Sequence, residues 1–279
     1  MEKKQVTERL KSELSSKGLS ALTIKNYSFF LEKFLNFSGK KPEDLTEEDA
    51  KAYLSSLFET KSKATISLAA SSISFLFKSM NKSISGIELP KKEKTPPQVL
   101  SKEEVRKILD SCETNKSRLM LSLLYSSGMR VSELVNLKKT DLNLTEKTGV
   151  IRKNNQERQF NLSEVLSRQL KDYLERHPEN DYLFSEKKPL TARNLQKIIQ
   201  KITSRAGIQK KVTPHTLRHS FSAHLQESGT DVRIIQHLLG NISNKHETQL
   251  DSSIPIQEQI KNMKNPLDAL LGNNSQGFN

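Results

Sequence analysis

One stretch of the chain cannot form a helix or a central strand. Positions 89–97 read Leu-Pro-Lys-Lys-Glu-Lys-Thr-Pro-Pro, with three prolines and four charged residues in nine positions. Proline has no backbone N–H and cannot continue a helix, so this stretch predicts an extended linker. We therefore expect a first domain over 1–86, a linker over 87–98, a second domain over 99–272 and a disordered tail over 273–279. The chain, at 279 residues, is long enough for two domains.

Helical periodicity dominates both expected domains, so the predicted fold class is mainly α with a small β-sheet. In the first domain, apolar residues recur at three- and four-residue steps, which predicts a bundle of four short helices, the last over about 63–80. Thr46 precedes three acidic residues and predicts a helix start. In the second domain, Ser101 opens a helix, and strands around 150–153 and 158–162 predict a hairpin. Further helices are expected at about 115–128, 163–176, 190–206, 213–228 and 231–239.

The charge balance indicates a polyanionic partner. Lysine and arginine number 45 against 32 acidic residues, a formal net charge of +13. Nucleic acid is the first candidate and an acidic membrane surface the alternative. No run of apolar residues is long enough to span a membrane and the N-terminus lacks a signal-peptide core, so a cytoplasmic location is expected. Cys112 is the single cysteine, which excludes an intrachain disulfide and favours a half-buried structural residue over a nucleophile.

Three short patterns contain candidate chemistry. In Gly-Met-Arg-Val-Ser-Glu-Leu, a glycine ends one helix and a new helix follows, which places Arg130 in its first turn. Backbone N–H groups at that end favour an anion, whereas the helix dipole disfavours a cation, so an arginine there is unusual. The structural alternative is a salt bridge between Arg130 and Glu133.

The second pattern is Pro-His-Thr-Leu-Arg-His, in which His215 and Arg218 lie three residues apart and share a helical face. A guanidinium offers a planar set of donors for phosphate oxygens, and an imidazole can move a proton near neutral pH. His219 is interpreted as a structural residue. The third pattern is the hairpin tip with Lys153, a lysine that either stays solvated or meets a phosphate.

Together, an arginine, a hairpin lysine and a His-x-x-Arg pair in this order resemble the tyrosine recombinase (phage integrase) family, most closely its Xer type. The resemblance extends over Leu-Tyr-Ser-Ser-Gly-Met-Arg-Val-Ser-Glu-Leu at 124–134, Thr-Pro-His-Thr-Leu-Arg-His-Ser-Phe-Ser-Ala-His-Leu at 213–225 and the stretch 229–240. It implies a helical core-binding domain followed by a recombinase catalytic domain. It also implies a metal-free reaction without a cofactor, through a DNA–tyrosine intermediate.

The resemblance assigns roles by position. Arg130 and Arg218 would hold the scissile phosphate, Lys153 would protonate the leaving oxygen and His215 would assist proton transfer. Lys25, Lys63 and Lys153 are the expected DNA-contact lysines. The implied partners are double-stranded DNA and further copies of the chain, from dimer to tetramer, with no membrane. The tail at 266–271 would dock into a neighbouring protomer, and a frayed terminus is the alternative.

The pattern departs from the family after Gly240. Asn241 stands where the family has a histidine, Leu250 stands where it has the nucleophilic tyrosine, and the last tyrosine of the chain is Tyr182. Leucine has no nucleophilic atom, so catalytic inactivity is expected.

Serine is too short to replace a tyrosine ring, which disfavours Ser252 and Ser253 as nucleophiles. Two explanations fit the departure. One is a compensated reading-frame slip or other local rearrangement over 241–256; the other is a catalytically inactive DNA-binding paralogue that occupies recombination sites or regulates an active relative. A helical transcription factor unrelated to recombinases would explain the charge but not the arginine, lysine and histidine set.

Overall fold

The computed structural model describes residues 3–82, 96–153, 156–241 and 255–271, without the side chains of 3–5, 153 and 156. The chain divides into two compact units, Met1–Thr95 and Pro96–Asn279. Most of the expected linker, the hairpin tip at 154–155, the 242–254 segment and the expected disordered tail lie outside the described residues. Within these ranges, no helix has both the length and the apolar character that a membrane crossing requires.

The first unit is a four-helix bundle, as predicted. Its helices are α1 (Lys3–Ser16), α2 (Ala21–Ser38), α3 (Glu47–Leu57) and α4 (Lys63–Ser79), with a 3-10 turn at Pro42–Asp44. The predicted start at Thr46 is a capping box, because Thr46 Oγ1 accepts from the backbone N–H of Asp49 and the Asp49 carboxylate accepts in return. Apolar residues at helical spacing, including Leu31 and Ile73, form its core.

The second unit is mostly helical with one small sheet, which confirms the predicted fold class. Every predicted helix is present to within a few residues, and two more follow the 242–254 gap. The elements are α5 (Lys102–Asp110), α6 (Asn115–Ser127), α7 (Val131–Asn136), β1 (Leu142–Asn143), β2 (Thr148–Lys153), β3 (Gln156–Asn161), α8 (Glu164–Glu175), α9 (Ala192–Arg205), α10 (Pro214–Glu227), α11 (Val232–Leu238), α12 (Ile256–Asn262) and α13 (Pro266–Leu271).

The sheet is antiparallel in the order β1-β2-β3, and the predicted β2–β3 hairpin is confirmed. Arg158 on β3 pairs with Ile151 on β2. The sequence analysis missed β1, because two residues are too few to show an alternating pattern.

Helix α6 lies at the centre of the second unit. Leu119, Leu121, Leu123 and Leu124 point in different directions around it, and all are fully buried. Gly128 ends the helix with φ +58°, a left-handed conformation, and a Cβ there would lie 2.6 Å from the Phe221 ring. Only glycine fits this tight turn, which places Arg130 two residues beyond the core helix.

The chain folds back onto its own core after the gap. Leu267 is fully buried and Leu270 is 5% exposed in α13, which packs against α6, α8 and α10. The Asn265 side chain donates to the carbonyl of Ser126 at 3.0 Å. The frayed-terminus alternative is therefore wrong for 266–271, and exchange of this segment between protomers stays a prediction.

Candidate functional site

Arg130 occupies the N-cap position of α7, one residue before the first helical turn in which the sequence analysis placed it. Its backbone N–H donates to Glu133 Oε2 at 2.7 Å, and its Nη1 donates to Glu133 Oε1 at 3.0 Å. The salt bridge considered from the sequence is thus present. It does not bury Arg130, because 32% of that side chain remains exposed. Arg130 is therefore held by Glu133 and still accessible to a ligand.

Glu133 is the buried anion at the centre of the site, with 4% of its side chain exposed. Its Oε2 also accepts from Arg158 Nη2 at 2.6 Å. Burial raises the pKa of the Glu133 carboxyl, but the charge of Arg158 and the hydrogen bonds from Arg130 outweigh burial and hold the pKa below its ordinary value. Glu133 is thus ionised at neutral pH.

Arg158 is the member of this cluster that the sequence analysis missed. It lies on β3 with only 9% of its side chain exposed, and burial lowers the pKa of its guanidinium despite the opposing effect of Glu133. A signal was present in the sequence, because Arg158 alternates onto the same strand face as Phe160, which is fully buried. An arginine on the same buried strand face as a core phenylalanine requires an acidic or anionic partner.

Arg218 reaches the same region from α10. It is 7% exposed, its Nη1 donates to the carbonyl of Gly128 at 2.6 Å and its Nη2 donates to the carbonyl of Leu239. Burial, followed by the charges of Arg130 and Arg158, lowers its pKa to about 10. The two candidate phosphate-holding arginines thus lie within one electrostatic cluster, although they come from α7 and α10.

His215 and His219 are exposed on α10, and their ring centroids lie 6.3 Å apart in a stacked arrangement. The pKa of His219 is lowered by partial burial, then by His215 and Arg218. The two histidines therefore share one exposed face of α10, and His219 lies close enough to Arg218 for its charge to act on the ring. His219, interpreted from the sequence as structural, is part of the same surface.

The chain reaches Asn241 through a Schellman turn at the end of α11. The N–H of Gly240 donates to the carbonyl of His237 at 2.8 Å, and the N–H of Asn241 donates to the carbonyl of Gln236 at 3.0 Å. Gly240 has φ +60°, and the Asn241 side chain is exposed. Leu250, Ser252 and Ser253 lie outside the described residues.

The three candidate DNA-contact lysines lie on two different units. Lys25 is exposed on α2, and Lys63 is the exposed first residue of α4. The backbone of Lys153 ends β2, and its side chain is outside the described set. Their contact with DNA stays a prediction.

The arginine cluster, defined as Arg130, Arg158 and Arg218, holds three positive charges against the single negative charge of Glu133. Like charges gathered in a partly buried site repel one another, and an anion relieves that repulsion. Guanidinium groups supply planar pairs of donors that match the oxygens of a phosphate. The site is therefore suited to bind a phosphodiester.

Half-buried Cys112 fits the structural interpretation made from the sequence. Burial raises the pKa of its thiol to about 11, so the thiolate form is disfavoured at neutral pH.

Comparison with protein families gives two matches along the chain. The phage integrase family matches residues 98–249, and its N-terminal SAM-like domain matches residues 6–85. Among characterised proteins, the tyrosine recombinase XerA of Pyrococcus furiosus is 37% identical over 252 residues, which cover 86% of each chain. The tyrosine recombinase XerD of Listeria innocua is 35% identical and covers 81% of this chain and 86% of its own.

Solved structures show the same fold. A lambda integrase dimer bound to a COC' core site aligns with a TM-score of 0.71 at 18% identity, over 90% of this chain and 98% of its own. The recombinase XerH bound to its difH substrate aligns with a TM-score of 0.70 at 23% identity, over 87% of this chain and 80% of its own. The family match and the relatives in sequence agree with the arginine and histidine patterns, and the chain belongs to the phage integrase family, as a tyrosine recombinase of the Xer type.

Proposed function

We propose that this chain binds duplex DNA at a recombination site and, with the sequence it has, does not cleave it. The observation that supports binding is the arginine cluster, in which Arg130 and Arg158 pair with one carboxylate and buried Arg218 lies within the reach of their charges. In this proposal Arg130 and Arg218 hold the phosphate that the family's reaction attacks, and His215, exposed one helical turn before Arg218 on α10, is the group available for proton transfer.

The absence of a tyrosine at the nucleophile position is read directly from the sequence. All five tyrosines precede residue 183, and each packs elsewhere in the fold. Tyr27 packs against Phe75 and Tyr53 against Phe34; Tyr125 donates to or accepts from His224 at 2.8 Å; Tyr173 packs against Phe184 and Tyr182 against Lys138. Burial raises the pKa of Tyr125, which disfavours its phenolate. None of these partners belongs to the arginine cluster.

The departure from the family is local. The family match begins at residue 98, far ahead of the 241–256 segment, and Ile260 and Leu267 after that segment are buried in the core of the second unit. A rearrangement confined to 241–256 therefore leaves the scaffold on both sides intact. This supports a second candidate function, an active recombinase whose reaction returns when a family-like segment replaces 241–256.

Several copies of the chain are expected on DNA. Solved relatives are a lambda integrase dimer on a core site and a lambda integrase tetramer on a Holliday junction. For this chain, paired half-sites occupied by two copies are the corresponding proposal. No metal or small-molecule cofactor is required, because guanidiniums and an imidazole supply the charge and the proton transfer.

DNA selection tests the binding function. The full chain is incubated with a pool of random duplexes, bound DNA is amplified over several rounds, and affinity for the recovered duplex is measured at several salt concentrations. We expect a common sequence motif and a steep fall of affinity with salt, because phosphate binding releases counterions. Arg130→Gln should weaken binding far more than Arg152→Gln, which removes the same charge from an exposed side chain. Equal effects, or affinity independent of salt, would contradict the proposal.

A nicked suicide substrate tests the lack of cleavage. A nick beside the cleavage position lets a small fragment diffuse away, so any covalent protein–DNA product accumulates. We expect no shifted band on a denaturing gel. An adduct formed by the unmodified chain would show that another residue acts as the nucleophile.

A further inference from the structure

Arg158 has a buried hydrogen-bond donor without an acceptor. Its Nη2 donates to Glu133 at 2.6 Å, but its Nη1 is inaccessible to solvent and has no partner among the described residues. Nine-tenths of the side chain is buried. An unpaired buried donor destabilises a fold, so its presence indicates a position shaped by a requirement other than stability.

The location of Arg158 suggests that requirement. Its Nε and Cδ lie against Gly240, where a Cβ would come within 2.9 Å and 3.1 Å of them and within 3.7 Å of Arg130 Nη1. The preceding residue, Leu239, accepts a hydrogen bond from Arg218 through its carbonyl. Arg158 and Arg218 therefore both contact the turn from which the chain continues to Asn241.

Arg158 also changes the charge available at Arg130. Glu133 has one negative charge, and both arginines donate to it. While Arg158 is present, it compensates that charge and leaves Arg130 with positive charge for a ligand. Without Arg158, the carboxylate would pair with Arg130 alone and neutralise it.

We propose that Arg158 is a positioning residue of the phosphate site. It holds Glu133, and through it Arg130, and it fixes the Gly240 turn, so that the guanidiniums of Arg130 and Arg218 face one phosphate. The proposal rests on the DNA-binding function proposed above and adds a residue that acts without touching the DNA.

The experiment uses the full chain and the duplex recovered by selection. Each phosphate of the duplex is replaced in turn by a neutral methylphosphonate, and the loss of affinity defines a penalty at each position. The phosphate held by Arg130 is the one at which Arg130→Gln abolishes the penalty. We expect Arg158→Gln to reduce the penalty at that same phosphate by about tenfold, since a charge-assisted hydrogen bond changes affinity by at least this factor.

Two variants separate charge from geometry. Arg152→Gln removes one positive charge from the neighbouring strand β2 and should leave the penalty unchanged. Arg158→Lys keeps the charge that compensates Glu133 but loses the planar set of donors that holds the carboxylate and the Gly240 turn, so it should restore only part of the penalty that Arg158→Gln loses. A full penalty in folded Arg158→Gln, with only the melting temperature reduced, would show a merely structural role. A penalty lost at a different phosphate would show direct contact, which also overturns the proposal.

A pair of glycine variants keeps the test valid if Arg158→Gln does not fold. Gly240 and Gly229 both have left-handed φ, +60° and +81°, but a Cβ at Gly229 meets nothing within 4 Å. Gly240→Ala should therefore displace Arg158 and reduce the same penalty, while Gly229→Ala should not. If no duplex is recovered, the proposed function fails. If binding is intact but neither Arg158→Gln nor Gly240→Ala changes the penalty, only this inference fails.

Discussion

Arg218 donates a hydrogen bond from Nη1 to the carbonyl of Gly128 at 2.6 Å, across 90 residues of sequence. Gly128 is the residue at which α6 ends, two positions before Arg130. The bond therefore joins α10 to the turn that presents Arg130. It brings the two candidate phosphate-holding guanidiniums to the same side of the second unit.

Replacing Arg218 should weaken DNA binding strongly. Arg218→Gln removes a buried guanidinium from the cluster, and the expected loss of binding free energy is about 1.5–3 kcal/mol, the value of a hydrogen bond to a charged group. Fluorescence anisotropy at fixed salt measures it, with thermal unfolding to verify the fold. Arg168→Gln is the matched control, because Arg168 is an exposed arginine on α8. Equal losses in the two variants would remove Arg218 from the site.

The pH dependence of stability should report Glu133. Its folded pKa lies below the ordinary value, so it contributes stability that is complete above the unfolded carboxyl pKa and is lost as pH falls through the folded pKa. Glu133→Gln should cost about 3–5 kcal/mol at neutral pH, since it leaves buried arginines without an anion. The difference between wild type and variant should shrink in acid. Denaturant unfolding from neutral pH to below pH 4 measures this, and a constant difference would contradict it.

The pH dependence of stability that Asp268 contributes should have the opposite sign to that of Glu133. Its folded pKa is raised by burial, and its Oδ1 is buried without a partner among the described residues. Ionisation therefore opposes folding, and the penalty develops as pH rises from the unfolded pKa through the folded one. As pH rises from acid to neutral, the free energy of unfolding of Asp268→Asn should increase relative to that of the wild type. The same unfolding series measures it, and a trend parallel to that of Glu133→Gln would refute it.

The segment after the gap should contribute strongly to stability. Leu267→Ala should reduce the free energy of unfolding by about 2–5 kcal/mol, because it opens a cavity in the core. Val232→Ala, at a side chain that is 52% exposed, should change it by no more than about 0.5 kcal/mol. Denaturant titration compares the two. Similar values would mean that α13 does not pack as observed.

Deletion from Pro266 onward should abolish cooperative occupancy of paired half-sites, if this segment exchanges between protomers on DNA. The deletion also removes contacts that the segment makes within its own chain. One of these is the hydrogen bond from Arg106 Nη2 to the carbonyl of Leu270 at 2.8 Å. Arg106→Gln removes that bond without removing buried leucines, so it should lower cooperativity while preserving affinity for a single half-site. Gel-shift titration on one and two half-sites measures both. Unchanged cooperativity in the deletion variant would exclude exchange.

Restoring a family-like segment at 241–256, with histidine at 241 and tyrosine at 250, should restore covalent trapping. Leu250→Tyr alone should not, because the hydroxyl must also be presented in line with the phosphate. Loss of a covalent nucleophile removes on the order of a millionfold in rate, so the contrast on a denaturing gel should be complete. Arg218→Gln in the restored chain is the control and should form no adduct. No adduct from the restored chain itself would mean that a further element is missing.

The sequence by itself determined the local structure and indicated some of the residues expected at the site. Helix starts such as Thr46 and Ser101, and the β2–β3 hairpin, follow from neighbours a few residues apart, so short-range patterns suffice to predict them. Arg130 and the His215–Arg218 pair could be recognised because each lies within a short sequence pattern.

Tertiary structure alone decided the rest. Arg158 meets Glu133 across 25 residues, and Arg218 meets Gly128 across 90, so no local pattern encodes either contact. The packing of Leu267 onto α6 and α10 likewise depends on where the chain returns after the 242–254 gap. A buried ion pair forms only when two distant elements exclude water from the space between them, and that exclusion is a property of the assembled core.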